Sequence, residues 1–199
     1  MTVISGTRRI TRDDILDMAE YEKVRAAKRR ALIEIKALRR LAVGPVMTFY
    51  FENRDTMWFQ IHEMLRIERG GEAQIADELA AYNPLIPDGQ ELVATVMFEI
   101  DDPVRRDAIL RSVGGVETRM AIDFGGETVV GCPESDLERT NASGKASAVQ
   151  FIHFPFTPTQ RALFKTSGQR VVVGVNHPNY GHMAVMPEAM RVALVADLD

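Results

Sequence analysis

The sequence predicts an α+β protein: N-terminal helices packed on a mostly antiparallel sheet holding two β-α-β units of ferredoxin-like character. Three observations carry this. Residues 1–83 read as a helical part, with apolar side chains recurring every three or four positions. Residues 84–199 alternate apolar runs with capped helical stretches. Within that second part, "TVMFEIDDPVRRDAILRSVGGVETRMAID" and "AVQFIHFPFTPTQRALFKTSGQRVVVGVN" both read strand, capped helix, glycine, strand. At an offset of 55 residues Pro103 falls on Pro158, Arg106 on Arg161, Ile109 on Phe164 and Val116 on Val171. The two parts are expected to form one compact unit.

Taken in order, Thr11 and Asp14 have capping-box spacing at the start of "ITRDDILDMAEYEKV". From Tyr21 to Ala42 a stripe of Val24, Ala27, Ala31, Ile35 and Leu38 predicts a long helix, ended by Gly44–Pro45. "VMTFYFEN" alternates and predicts a short strand. Asn53 or Asp55 caps a helix through "TMWFQIHEMLRIERG", and Gly70–Gly71 separates it from "EAQIADELAAY". "NPLIPDG" is a loop. Asp102–Pro103 and Thr157–Pro158 are helix starts, an N-cap followed by proline at the first helical position. Gly125–Gly126 predicts a hairpin, "CPESDLERTNASGKAS" a polar loop, and "MPEAMRVALVADLD" a closing helix with Met190, Ala193 and Leu194 inward.

Composition excludes several function classes. The net charge of −4 and pI near 5.6 give no global attraction to nucleic acid or membranes. The N-terminal "MTVISGTRRITRDD" turns charged before any apolar core forms, so no signal peptide is expected. No stretch approaches the roughly 18 apolar residues of a membrane span. A cytoplasmic protein is the expectation. Cys132 is the single cysteine, which excludes an internal disulfide and a cysteine-built zinc or iron–sulfur centre.

Candidate chemistry is sparse. "IHEMLRIE" begins like a zinc-protease motif, but Arg66 stands where the second histidine belongs. His62 and Glu63 are helix neighbours pointing to different sides, so Glu63 is kept only as a candidate site residue. No glycine-rich phosphate loop or nucleophile elbow is present, and Cys132 has no histidine near it in sequence. The stretch "VNHPNYGHM" is the richest. His177 and His182 flank a turn after an apolar strand, with Asn176 and Tyr180 beside them, and His153 ends another strand in "QFIHFPF". Three histidines of this kind suit a divalent metal, making His153, His177 and His182 the candidate ligands. The competing reading is a polar loop whose histidines bond backbone. Glu99 points away from His153 if the 55-residue offset holds, so those two are not expected to pair.

Three stretches, "MTFYFENRDTMWFQIHEMLRIER", "AYNPLIPDGQELVATVMFEI" and "VNHPNYGHMAVMPEAMRVALVADL", resemble the bacterial DUF3501 family of unknown function. The similarity covers nearly the whole chain. It implies a gene often lying beside rubrerythrin and an iron–sulfur oxidoreductase, hence a role in redox or peroxide-stress metabolism, and supplies no catalytic residues. The expected function is an accessory or ligand-binding protein working with a redox partner. The alternative is a metal-dependent enzyme using the three histidines.

The second helix concentrates Lys23, Arg25, Lys28, Arg29, Arg30, Lys36, Arg39 and Arg40, while "ERGGEAQIADELAAY" supplies Glu68, Glu72, Asp77 and Glu78. Binding of nucleic acid is not expected from a net-negative chain without a nucleic-acid fold signature. Complementary charge beside apolar stripes predicts a homodimer through the N-terminal helices, or the same segments pairing within one chain.

Overall fold

The computed structural model describes residues 8–134 and 139–199. The chain runs α1 (Met18–Ala37), β1 (Arg40–Val43), β2 (Met47–Phe51), α2 (Arg54–Glu68), α3 (Glu72–Tyr82) and β3 (Glu91–Phe98). It continues α4 (Pro103–Ser112), β4 (Met120–Phe124), β5 (Glu127–Val130), β6 (Cys132–Pro133), β7 (Val149–Pro155), α5 (Pro158–Lys165), β8 (Val171–His177), β9 (Tyr180–Val185) and α6 (Glu188–Val195). This is the α+β architecture read from the sequence, with two antiparallel sheets where one was expected.

The first sheet has the order β1-β2-β3-β7-β6 and the second β5-β4-β8-β9. Each β-α-β unit carries the chain from one sheet to the other: β3 pairs with β7, and β4 with β8, both antiparallel. The two capped helices α4 and α5 make these crossings, with Asp102 and Thr157 accepting the N–H groups of Arg105 and Gln160. Strands β1 and β2 come from residues 1–83, so the first sheet is built from both halves of the chain.

Two apolar layers follow from strand alternation. Phe49, Phe51, Leu92, Ala94, Val96, Ile152 and Phe154 face Met120, Ile122, Val171, Val173 and Val175 across the sandwich, and Leu110, Phe164 and Leu194 close it from the helices. On the outer face of the first sheet, Val93 packs under Met57, Ile61 and Leu65 of α2 and Ile75 of α3, with Phe151 beside it. The predicted N-terminal helices therefore lie on the sheet, as expected.

Two local readings change. The long helix ends at Ala37, and 40–43 form an edge strand whose register sets Leu41 against Phe49. Arg39 leaves the helix for a buried pair with Asp197, at 2.6 and 3.0 Å, which fixes the C-terminus to the start of β1. Gly44–Pro45 consequently serve the β1–β2 turn. Gly44 has φ +76°, and a Cβ there would lie 2.6 Å from the His182 ring and 2.8 Å from the Tyr180 hydroxyl, so only glycine fits. The Thr11–Asp14 box closes a single 3-10 turn, and Asp17 caps α1 through the Glu20 N–H.

The polar stretch after β5 also holds structure: Cys132–Pro133 pair with β7, and 135–138 lie outside the described residues. Gly131 is the crossing point between the sheets. A Cβ there would sit 2.6 Å from Ile152 and 2.9 Å from Phe154, so the residue before Cys132 can carry no side chain.

Candidate functional site

The outer face of the first sheet carries the most chemistry. Register places Tyr50, Thr95 and Phe151 in one cross-strand row, and Val93, His153 and Cys132 in the next. Directly opposed residues of antiparallel strands project to the same side, with Cβ atoms about 5 Å apart. Cys132 and His153 are therefore face neighbours, although 21 positions separate them in sequence.

His153 is held on both sides by acids. Its Nδ1 lies 2.9 Å from a Glu91 carboxylate oxygen, and its Nε2 is 3.9 Å from Glu134. The hydrogen bond that the ring donates to Glu91 raises the imidazole above its ordinary value, against burial, with the charges of Glu91, Glu134 and Asp88 adding to it. A protonated ring is thus favoured beside the Cys132 thiol, which is exposed, its Sγ 4.0 Å from the Val130 carbonyl. Glu134 in turn lies 3.5 Å from Arg139, whose guanidinium covers the Phe151 ring.

Further along the same face, α2 stands off the sheet and leaves a cleft of about 370 Å³. Its floor is Met97, Val149 and Phe151, and its walls include Glu52, Gln60 and Tyr82. Glu52 is 7% exposed, and its carboxylate accepts the Thr95 hydroxyl at 2.7 Å. At the other end, Glu99 accepts from Thr48 and Tyr50 and pairs with Arg40.

The residues singled out from sequence lie in separate surroundings. His177 fastens a turn: its Nε2 is 3.2 Å from the Gly114 carbonyl and its Nδ1 accepts the Asn179 N–H at 3.1 Å. His182 packs edge-on against Tyr180 and over Gly44. Tyr180 donates to the Val43 carbonyl at 2.8 Å and accepts from Val46 N–H at 3.3 Å, tying β9 to the β1–β2 turn. Burial raises its phenol. Asn176 gives its backbone N–H to Arg119 and is otherwise exposed.

His153 projects away from the second sheet, which carries the other two histidines, and packed sheets lie about 10 Å apart. Among the described residues, no group of three or more histidine, cysteine, aspartate or glutamate side chains is arranged to hold a metal.

Glu63 is structural. It takes a two-pronged bond from Arg25 at 2.7 and 2.8 Å and one from the Tyr21 hydroxyl at 2.8 Å, joining α1 to α2. The Arg25 guanidinium pulls its carboxyl down to about 2. His62 is fully buried between Tyr21 and Trp58. Its Nδ1 faces the Trp58 carbonyl at 2.7 Å and its Nε2 accepts the Leu16 N–H at 3.1 Å, an arrangement that only the neutral ring satisfies.

Sequence reasoning missed Glu91 and Glu52. Strand alternation gives each a face: "ELVATVMF" puts Glu91 on the face of Val93 and Thr95, and "TFYFE" puts Glu52 on that of Thr48 and Tyr50. The alternation was visible; the strand that would pair with each was not.

Fold and site define an α+β sandwich with helices over one sheet, whose polar side chains gather on the helix-covered face. The chain belongs to the DUF3501 family, a protein family of unknown function whose profile matches residues 9–198. It is similar to the crystal structure of a novel protein of unknown function from Burkholderia pseudomallei K96243, with 35% identity and a TM-score of 0.88. That likeness covers 96% of this chain and 99% of the other. No curated protein sequence matches it. Among the described residues, no helix is long and apolar enough to cross a membrane.

Proposed function

We propose that the protein is an accessory protein of redox metabolism that reacts through Cys132, with His153 and Glu91 as its positioning residues. One observation carries this reading: Cys132 stands directly across β6–β7 from a histidine that the Glu91 carboxylate favours as imidazolium. Cysteine reacts as its thiolate, and His153 is the cross-strand neighbour of Cys132. Toward a hydroperoxide, the thiolate sulfur attacks one peroxide oxygen and the O–O bond breaks. The leaving oxygen takes the His153 proton, and Cys132 becomes a sulfenic acid.

The chain has one cysteine, so the thiol that reduces this sulfenic acid belongs to another molecule. This is the redox partner that the reading requires. The metal-dependent alternative needs His153, His177 and His182 together; His153 lies on the first sheet, and His177 and His182 on the second.

The test is to expose the full chain to hydrogen peroxide with dimedone present and weigh it. A single adduct on Cys132, reduced severalfold in His153→Gln, is the expected result. An unmodified Cys132, or labelling indifferent to His153, contradicts the reading.

A further inference from the structure

The cleft under α2 holds a buried carboxyl group, Glu52, that has no ion-pair partner among the described residues. Glu52 is 7% exposed, and among the described residues its one side-chain hydrogen-bond donor is the Thr95 hydroxyl at 2.7 Å. No cation of the described residues forms an ion pair with it. Arg39 reaches only the Glu52 backbone carbonyl, because its guanidinium is taken by Asp197. The start of α2, two residues on, offers a partial positive end. A hydroxyl and a helix end offset only part of what it costs to bury a carboxylate.

The carboxylate also opens on usable space. The cleft of about 370 Å³ falls within the range of small-molecule sites, and apart from Glu52 its lining is largely apolar or aromatic: Met57, Leu85, Met97, Phe151 and Tyr82. Aromatic faces attract organic cations. Lys36 stands exposed at the rim, farther than ion-pair distance from Glu52.

We propose that this cleft binds an amphipathic organic cation, an ammonium or guanidinium group on an apolar or aromatic body, with the charge on Glu52 and the body against Phe151 and Met97. The site is independent of Cys132 chemistry.

Isothermal titration of the full chain tests it with tyramine and agmatine, and with 4-ethylphenol as the uncharged analogue of tyramine. At least one cation is expected to bind one-to-one and 4-ethylphenol not to bind. Glu52→Gln should weaken the cation at least about tenfold, the usual scale for losing one charge-assisted bond. Lys36→Ala should leave affinity the same or better. Met97→Trp fills the cleft from the sheet side and should abolish binding; it also decides the matter if Glu52→Gln does not fold.

The proposal is overturned if neither cation binds at millimolar concentration or if 4-ethylphenol binds as well as tyramine. Undiminished affinity in folded Glu52→Gln, or in Met97→Trp, also overturns it. So does loss of binding in Lys36→Ala, which would mean that the ligand is held by the rim lysine and carries no cation to Glu52.

Discussion

His153 Nδ1 lies 2.9 Å from the Glu91 carboxylate, and both side chains are about four-fifths buried, at 21% and 19% exposure. The pair is an ion pair only while the imidazole is protonated. Because the folded state raises His153, the stabilisation is complete below about pH 6.5, where the unfolded ring is also charged. It is lost as pH rises through the folded value. Urea denaturation across pH 5 to 9 should therefore show a fall on the alkaline side that His153→Gln removes.

His62 titrates in the opposite sense. Burial lowers it, and its neutral ring accepts the Leu16 N–H at 3.1 Å, a bond that protonation destroys. Its contribution is present above about pH 6.5 and lost as pH falls through the folded value. Ring NMR resonances of His62 should still report the neutral form at a pH where those of His153 are fully protonated. Coincident titration of the two rings would contradict both environments.

Tyr180→Phe should cost about 1–3 kcal/mol in chemical denaturation. The hydroxyl both donates to Val43 and accepts from Val46, in a buried place that water would not refill. Gly44→Ala should cost more, since a Cβ meets Tyr180 and His182 in a left-handed turn. The predicted candidate site around Tyr180 is thus a clasp between the two sheets.

The parts of the fold that read clearly from sequence are those fixed by local chemistry. Asp102–Pro103 and Thr157–Pro158 start helices by their own backbone constraints, and Gly125–Gly126 supplies the left-handed hairpin at φ +55° and +84°. The end of α1 was hidden because Leu41, which alternates with Val43 in a strand, also continues the three-to-four-residue stripe from Leu38. Only the pairing with β2 and the Arg39–Asp197 bond decide it. The Cys132–His153–Glu91 neighbourhood was illegible for the same reason: three strands from distant parts of the chain meet there, and cross-strand register leaves no mark on any one of them.

Helix α1 retains an unsettled surface. Of its 20 residues only Tyr21 and Leu32 are buried, while Ile33 is 63% exposed. Part of the expected charge complementarity is spent within the chain, as in Arg25–Glu63, Arg66–Glu22 and Arg12–Glu72. We propose that the remaining exposed face, with Arg29, Arg30 and Ile33, meets a second copy. Sedimentation at micromolar concentration should give a dimer that Ile33→Asp splits without loss of helix content; a wild-type monomer contradicts it.

Activation of Cys132 by His153 is read from the rate at which iodoacetamide alkylates that single thiol at pH 7, comparing wild type, His153→Gln and Glu91→Gln under native conditions and in urea. Native wild type should react about tenfold faster than His153→Gln, with Glu91→Gln between them, and all three equally once unfolded. Equal rates in the three native proteins would contradict it.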